Sequence, residues 1–149
     1  MTYELHELET PEDWEAMHRI RLKVLFTPER HPGLVYDRAH PHDTNPEHVK
    51  FLLLLDGEPI GTTRLDPRGD SGIVRLVGIV PGQQRRGHGS VMEQLVVDFA
   101  RARGMRRLAV NAARDAVGFY EKLGWSPEVW GQEELETFAR NCVQMTKPL

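Results

Sequence analysis

Residues Ile73 to Gly104 read I-V-R-L-V-G-I-V-P-G-Q-Q-R-R-G-H-G-S-V-M-E-Q-L-V-V-D-F-A-R-A-R-G. They begin with a nearly continuous apolar run that ends at Val80, which is typical of a strand buried on both faces. Pro81 ends that strand because it has no N–H group to donate to a sheet. Apolar side chains then recur at the spacing of one helical face, at Met92, Leu95, Val96 and Phe99. The pattern therefore predicts a strand, a glycine-rich loop and a helix in succession.

The loop between this strand and this helix is suited to binding an anion. The first N–H groups of a helix have no partner within the helix, and together with the helix dipole they attract phosphate. Gly87 and Gly89 lack the Cβ atoms that would block a close approach, while Arg85 and Arg86 add positive charge. We therefore expect a phosphate-bearing ligand at this loop.

Two common phosphate motifs fit the loop only at their start. Gly82 and Gly87 have the spacing of a nucleotide-hydrolase P-loop, but His88-Gly89 replaces the required Lys-Ser/Thr. Gly87-x-Gly89 begins like a dinucleotide fingerprint, but Met92 occupies the place of the third glycine. Neither nucleotide hydrolysis nor dinucleotide binding is therefore favoured.

A third pattern fits throughout. Gln84-x-x-Gly87-x-Gly89, after a strand and a proline and before a helix, resembles the diphosphate loop of the GNAT superfamily of N-acetyltransferases. The resemblance implies acetyl-coenzyme A as the cosubstrate, without a metal. The cofactor contacts that it implies are Ile79, Val80, Gln84, Arg85, Arg86, Gly87, His88, Gly89 and Ser90. The alternative for such a loop is a solvated connector without a ligand.

A second stretch, Ala116-x-x-Phe-Tyr-Glu-Lys-Leu-Gly-Trp125, is similar to the GNAT signature Ala-x-x-Phe/Leu-Tyr-Glu-Lys-Leu-Gly-Phe. The resemblance implies that Tyr120 is the catalytic general acid that protonates the leaving thiolate. A packing tyrosine with a satisfied hydroxyl is the alternative. Many members have an asparagine seven residues before this tyrosine, where this chain has Ala113. Asn111, two residues earlier, is the remaining cofactor-binding candidate.

Composition limits the classes of protein that fit. A length of 149 residues predicts one domain, residues 1–149, with one full core. A net charge of −3 gives no general attraction to nucleic acid or anionic lipid, and no apolar run is long enough to span a bilayer. The N-terminus lacks the basic and apolar regions of a signal peptide. A single cysteine, Cys142, excludes an internal disulfide, so we expect a buried structural thiol in a cytoplasmic protein.

The first half of the chain predicts a strand, a helix and an antiparallel meander. Thr10-Pro11 has the residue types of a helix N-cap and first position. Asp56-Gly57 is a hairpin turn signal between two apolar runs, and 66–72 is a second turn region. The predicted elements are a strand at residues 3–8, a helix from 11 to about 26 that packs on a sheet, and strands at 48–55 and 58–65.

The segment Thr27–Glu47 is rich in proline and predicts a long loop. Its histidines and the one that follows it are His31, His40, His42 and His48, for which solvated positions are favoured over a metal or catalytic role. The segment is a candidate wall of a substrate site, with Tyr36 and Asp37 as contributors. The strand at 73–80 has no glutamate to act as a general base. Asp66, a loop histidine and an ordered water all remain open for that role.

The C-terminal part predicts a short strand at 108–110 parallel to the strand at 73–80. A short helix at 132–139 and a last strand containing Val143 and Met145 follow. With the resemblance, this order predicts an α/β GNAT fold. Its mixed, mostly antiparallel sheet has a parallel central strand pair and is flanked by helices.

The function that the resemblance implies is acetyl transfer from acetyl-coenzyme A to a primary amine by direct attack on the thioester. The acceptor is open among antibiotics, polyamines, amino acids and peptide N-termini. A non-catalytic acyl-coenzyme A sensor is the alternative function. The arginines at 101, 103, 106 and 107 form a basic cluster, but no nucleic-acid motif accompanies them, so we expect neither a nucleic-acid nor a membrane partner. Monomer and homodimer both remain open.

Overall fold

Seven strands and five α-helices form the fold, which a computed structural model describes over residues 1–149. The strands are β1 (Tyr3–Glu7), β2 (Val49–Leu55), β3 (Glu58–Arg68), β4 (Ser71–Ile79), β5 (Arg107–Ala113), β6 (Ser126–Pro127) and β7 (Cys142–Pro148). The helices are α1 (Pro11–Val24), α2 (Pro41–Thr44), α3 (His88–Ala102), α4 (Val117–Lys122) and α5 (Gln132–Glu136), with a 3-10 turn at Arg114–Ala116. No helix has the length and apolar character needed to cross a membrane.

The strands form one mixed sheet in the hydrogen-bonded order β1-β2-β3-β4-β5-β7-β6. β1, β2 and β3 are antiparallel neighbours, as are β5, β7 and β6. β4 and β5 are parallel, and their ladder runs from Ser71–Arg107 to Val74–Val110. The predicted mixed sheet with a parallel pair is confirmed. Both strands of the pair continue beyond the ladder, β4 to Ile79 and β5 to Ala113.

The chain divides into two compact units, residues 1–66 with 76–96 and residues 67–75 with 97–149. In the first unit, α1 begins with the predicted Thr10 cap, whose side chain accepts a hydrogen bond from the N–H of Asp13. Met17 and Ile20 lie on the buried face of this helix and pack against Leu52 of β2. The helix ends at Val24, two residues before the predicted end.

The apolar run of β2 is explained by cover on both sides of the strand. Successive strand residues point to opposite faces, so Leu52 packs against α1 while Leu53 packs with Ile60 and with Met92 of α3. A strand with only one covered face would alternate apolar and polar residues instead. This arrangement is why an antiparallel strand has the sequence F-L-L-L-L.

The second unit is built on β5, which pairs with β4 on one side and β7 on the other. Ala109 and Val110 of β5 and Met145 of β7 are fully buried in it. α4 adds the ring of Tyr120, which packs edge-on against Trp125 at a centroid distance of 5.3 Å. The apolar residues identified in the sequence therefore form this part of the core.

Other elements besides α1 differ from the sequence prediction, and the helix predicted at 132–139 ends at Glu136. The proline-rich segment contains the short helix α2, which His40 caps by accepting a hydrogen bond from the N–H of His42. β3 continues to Arg68, through Asp66, whose carboxylate is paired with Arg64 two residues earlier. β5 extends to Ala113 because Asn111 and the two alanines after it pair with β7.

The close approach of β3 and β4 gives a test of the fold. A Cβ at Gly61 would lie 2.8 Å from Cδ1 of Ile79 and 3.0 Å from the carbonyl oxygen of Gly78. Gly61→Ala must therefore move the end of the Ile79 side chain and shift the Gly78 carbonyl slightly. We expect a loss of about 1–3 kcal/mol in the free energy of unfolding, measured by urea denaturation. The matched control is Gly118→Ala in the exposed face of α4, where nothing lies within 4 Å of the new Cβ. It should stabilise the protein by about 0.5–1 kcal/mol. Equal effects at both glycines would contradict this packing.

Candidate functional site

The glycine loop, residues 80–90, follows β4 and leads into α3. Gly82, Arg85 and Gly87 have φ values of 90°, 62° and 84°, in the left-handed region. Alternation of left- and right-handed residues turns successive N–H groups toward a common side and forms an anion-binding concavity. A left-handed arginine costs free energy that the surrounding structure must supply, and such strain is concentrated at functional sites.

Local hydrogen bonds hold this loop in shape. The N–H of Gln83 donates to the carbonyl of Val80 at 3.1 Å, and the side-chain amide of Gln84 donates to the carbonyl of Ile79 at 2.9 Å. α3 begins at His88, so Gly89 and Ser90 lie in its first turn, where the N–H groups have no partner within the helix. The predicted Gln84 therefore shapes the loop with its side chain.

His88 anchors the start of α3 to β1. Its side chain is only 4% exposed. Its Nδ1 lies 2.7 Å from the hydroxyl of Tyr3, and its Nε2 lies 3.2 Å from Oε1 of Gln83. Both ring nitrogens are thus used within the protein, so the group of His88 that remains for a ligand is its main-chain N–H. No local sequence pattern indicates the contact with Tyr3, which is 85 residues away.

The glycine loop carries two arginines that no acidic side chain of the protein neutralises. Arg85 and Arg86 are both exposed, and neither forms an ion pair within the protein. Together with the helix N-terminus they produce a local positive potential that favours an anion. The predicted diphosphate-binding residues of the loop are therefore brought together.

Asn111 and Tyr120 lie in the second unit. The Nδ2 group of Asn111 donates to Oε1 of Glu134 at 2.9 Å, and its Oδ1 accepts from Gln144 at 3.0 Å. Both ends of the amide are thus engaged inside the protein. Glu134, which sequence reasoning missed, also accepts two hydrogen bonds from Arg75 at 3.0 Å each. Burial by itself would raise the pKa of Glu134. The hydrogen bonds from Arg75 and Asn111 lower that pKa by more, so its net shift is downward.

Tyr120 is 6% exposed and sits in α4. Its ring contacts Phe119 and Trp125 edge-on, at centroid distances of 5.1 and 5.3 Å. The main-chain N–H of Trp125 donates to its carbonyl at 3.1 Å. These contacts fix the position of the ring, which both the catalytic and the packing interpretation require.

A buried ion cluster, defined as Arg21, Asp43, Arg64 and Asp66, joins α1, α2 and β3. Asp43 accepts hydrogen bonds from Arg21 at 2.7 and 3.0 Å and from Arg64 at 2.9 Å. Arg64 in turn donates to both oxygens of Asp66, at 2.8 and 3.1 Å. Burial alone would raise the pKa of Asp43, but the bonds from the two arginines bring it below its ordinary value.

The proline-rich segment is docked by its aromatic and histidine side chains. The Tyr36 hydroxyl lies 2.6 Å from Nδ1 of His18 and accepts a 3.4 Å hydrogen bond from Arg21. Asp37, the other predicted contributor, accepts from the N–H of Ala39 within its own turn. His48 donates to the carbonyl of His42 at 2.6 Å, and burial lowers the pKa of His42.

Cys142 is half-buried at the start of β7, and burial raises the pKa of its thiol. No group of three or more His, Cys, Asp or Glu side chains is arranged to hold a metal ion.

The model of the acetyltransferase (GNAT) family matches residues 11–125 of the chain. The uncharacterized protein YyaT of Bacillus subtilis (strain 168) is 24% identical over 133 residues, covering 89% of this chain and 87% of that protein.

Solved structures share the fold. The ribosomal-protein-S18-alanine N-acetyltransferase of Escherichia coli gives a TM-score of 0.75 at 18% identity, over 99% of this chain and 94% of that one. The PaiA N-acetyltransferase of Thermoplasma acidophilum, solved in complex with coenzyme A, gives a TM-score of 0.74 at 14% identity over 100% of both chains.

The ion cluster gives a stability test. Asp43→Asn leaves two buried arginines without their shared carboxylate, so we expect a loss of about 3–5 kcal/mol in the free energy of unfolding at pH 7. Because the folded-state pKa of Asp43 is lowered, its contribution exists above the unfolded pKa and disappears as the pH falls. The variant should therefore lose less stability than the wild type on acidification.

The matched control is Glu15→Gln, which breaks an exposed pair with Arg38 at 2.7 Å. Exposed pairs contribute little, so this variant should unfold like the wild type. Equal losses for the two variants in urea denaturation would mean that the cluster does not hold these elements together.

Proposed function

The chain belongs to the GNAT family of acetyltransferases, and from that premise we propose that it transfers the acetyl group of acetyl-coenzyme A to a primary amine by direct attack on the thioester. The observation that carries the proposal is the glycine loop. Its left-handed residues and the first turn of α3 present unpaired N–H groups beside two unneutralised arginines. The diphosphate of coenzyme A is the anion that we assign to it.

We assign the pantetheine arm of coenzyme A to the end of β4. The β4–β5 ladder ends at Val74, and Leu76 has a φ of 56° within the strand, which interrupts its regular pleat. The main-chain groups from there to Ile79 and Val80 would bind the arm, and one strand amide would polarise the thioester carbonyl. Asn111 keeps its place among the proposed cofactor contacts through its main chain, because its side-chain amide is engaged by Glu134 and Gln144.

The chemistry requires a base for the acceptor ammonium and an acid for the leaving thiolate. We assign the acid to Tyr120, whose ring is fixed by its aromatic neighbours. The acceptor class stays open among small-molecule and peptide amines. A thiol-release assay with spermidine, kanamycin, L-glutamate and an alanine-initiated peptide tests the proposal directly. Binding of acetyl-coenzyme A without thiol release for any amine would indicate the acyl-coenzyme A sensor instead.

We expect coenzyme A to raise the melting temperature by several degrees, because a ligand at about 100 times its Kd adds about 2.7 kcal/mol to the free energy of unfolding. Dephospho-coenzyme A should retain most of the shift and pantetheine little of it, since the diphosphate makes the loop contacts. Gly87→Asp should remove the shift by placing a carboxylate in the loop.

Gly69→Asp is the matched control for that variant. Gly69 also has a left-handed φ, 61°, and open space around it, but lies in the turn between β3 and β4. The Gly69→Asp variant should bear the same backbone strain as Gly87→Asp and keep the full rise in melting temperature with coenzyme A. A shift of equal size from pantetheine and coenzyme A would overturn the assignment of the loop.

Tyr120→Phe should lower kcat by about 10²–10⁴-fold with little change in the Kd for acetyl-coenzyme A, if the hydroxyl protonates the thiolate. Trp125→Phe is the control for packing, because it alters the ring neighbour of Tyr120 and keeps the hydroxyl. It should lower the melting temperature and leave kcat within a few fold. A loss of only twofold in Tyr120→Phe would assign the residue to the core.

A further inference from the structure

His48 lies directly before β2, with a side chain only 16% exposed. Its Nδ1 is 2.6 Å from the main-chain carbonyl oxygen of His42. A carbonyl oxygen can only accept, so Nδ1 must bear a proton. In the neutral ring, Nε2 is therefore the unprotonated nitrogen with a free lone pair. No group of the protein donates a hydrogen bond to this Nε2, and it is not among the fully buried unpaired atoms.

Charged and titratable groups of β2, β3 and α2 surround His48. Oδ1 of Asp66 on β3 lies 3.5 Å from Nδ1, and Arg64 holds that carboxylate in place from the other side. The ring of His42 on α2 lies 5.9 Å from the ring of His48, measured between centroids. Lys50 on β2 donates to the carbonyl of His48 at 2.8 Å. The hydrogen bond to the carbonyl of His42 thus holds the ring and fixes its tautomer, while the carboxylate of Asp66 lies alongside Nδ1.

The other candidate bases are already engaged. Both oxygens of Asp66 accept hydrogen bonds from Arg64, so that carboxylate is poorly placed to take up a proton. His88 uses both ring nitrogens within the protein. Nδ1 of His18 is bound to Tyr36, and burial lowers the pKa of that histidine. His48 alone combines a fixed tautomer, a flanking carboxylate and an open nitrogen.

The position of His48 within the first unit suits a reaction at the thioester end of the pantetheine arm. The N–H of Val80, at the start of the glycine loop, donates to the carbonyl of Ile60 on β3 at 2.8 Å. Asp66 lies six residues further along the same strand, a distance of about 20 Å. The pantetheine arm carries the thioester well away from the diphosphate, so a base at this distance from the loop is placed for an acceptor beyond the arm.

We propose that Nε2 of His48 is the general base that deprotonates the acceptor amine, with the main-chain carbonyl of His42 fixing its tautomer; this rests on the proposed function. Nε2 takes one proton from the acceptor ammonium. The amine nitrogen then bonds to the thioester carbonyl carbon, and the carbon–sulfur bond breaks with its electron pair leaving on sulfur. The second amine proton ends on the coenzyme A thiol, and His48 releases its proton to solvent.

The test measures kcat/KM against pH with the best amine of the panel. His48→Gln should lower kcat/KM at neutral pH by about 10²–10⁴-fold and remove the ascending acid limb of the profile, with an unchanged Kd for acetyl-coenzyme A. His48→Ala should be partly rescued by added imidazole. The control is His31→Gln in the same segment, where the ring packs on Phe26 and is exposed. It should keep the wild-type profile.

A second measurement needs no variant and no acceptor. Long-range ¹H–¹⁵N correlation spectra of the wild-type protein should show the Nδ1–H tautomer for the neutral ring of His48, with Nε2 unprotonated. An Nε2–H tautomer, or a His48→Gln variant with full activity and an intact acid limb, would overturn the assignment. If the wild type acetylates no amine, the proposed function fails, while the tautomer is still decided by the spectrum.

Discussion

The buried carboxylate of Asp43 is the constraint on which the first unit depends. Two arginines from different elements, Arg21 on α1 and Arg64 on β3, donate to it in an environment where its side chain is only 2% exposed. A charge in such a place is costly unless its partners are held in good geometry. The carboxylate therefore fixes the mutual position of two elements and of the short helix α2 that bears it. Buried pairs of this kind add specificity of structure more dependably than they add stability.

That constraint also positions the polar side chains where the start of β2 lies beside the C-terminal part of β3. Arg64 donates at once to Asp43 and to Asp66, so the position of Asp66 follows from that of α2. The carbonyl of His42, inside α2, then receives Nδ1 of His48. A proline-rich segment without a long helix or a strand of its own is thereby held on the sheet by side-chain contacts. The same contacts that order the segment also determine which nitrogen of His48 is left open.

The glycine loop and the Glu134 network show two different uses of polar groups. In the loop, main-chain N–H groups and two arginines are left without internal partners, which is costly in an empty protein and favourable when an anion binds. At Glu134 the reverse holds, because Arg75 and Asn111 both donate to it just beyond the last β4–β5 pair, Val74–Val110. This network links the side chains of two strands at the point where their ladder ends. The first arrangement is suited to a ligand and the second to a rigid support.

The sequence by itself determined the order of the main elements, the mixed sheet, the glycine loop between a strand and a helix, and the family. These depend on neighbours in the chain, because hydrophobic period, glycine placement and helix caps act over a few residues. Only the tertiary structure decided which side chains meet: Tyr3 with His88 over 85 residues, Arg75 with Glu134 over 59, and Arg21 with Asp43 over 22. Such contacts leave no local pattern, since any arginine and any carboxylate have the same chemistry. The path of the chain through the fold selects the partner, and that path is set by packing of the whole core.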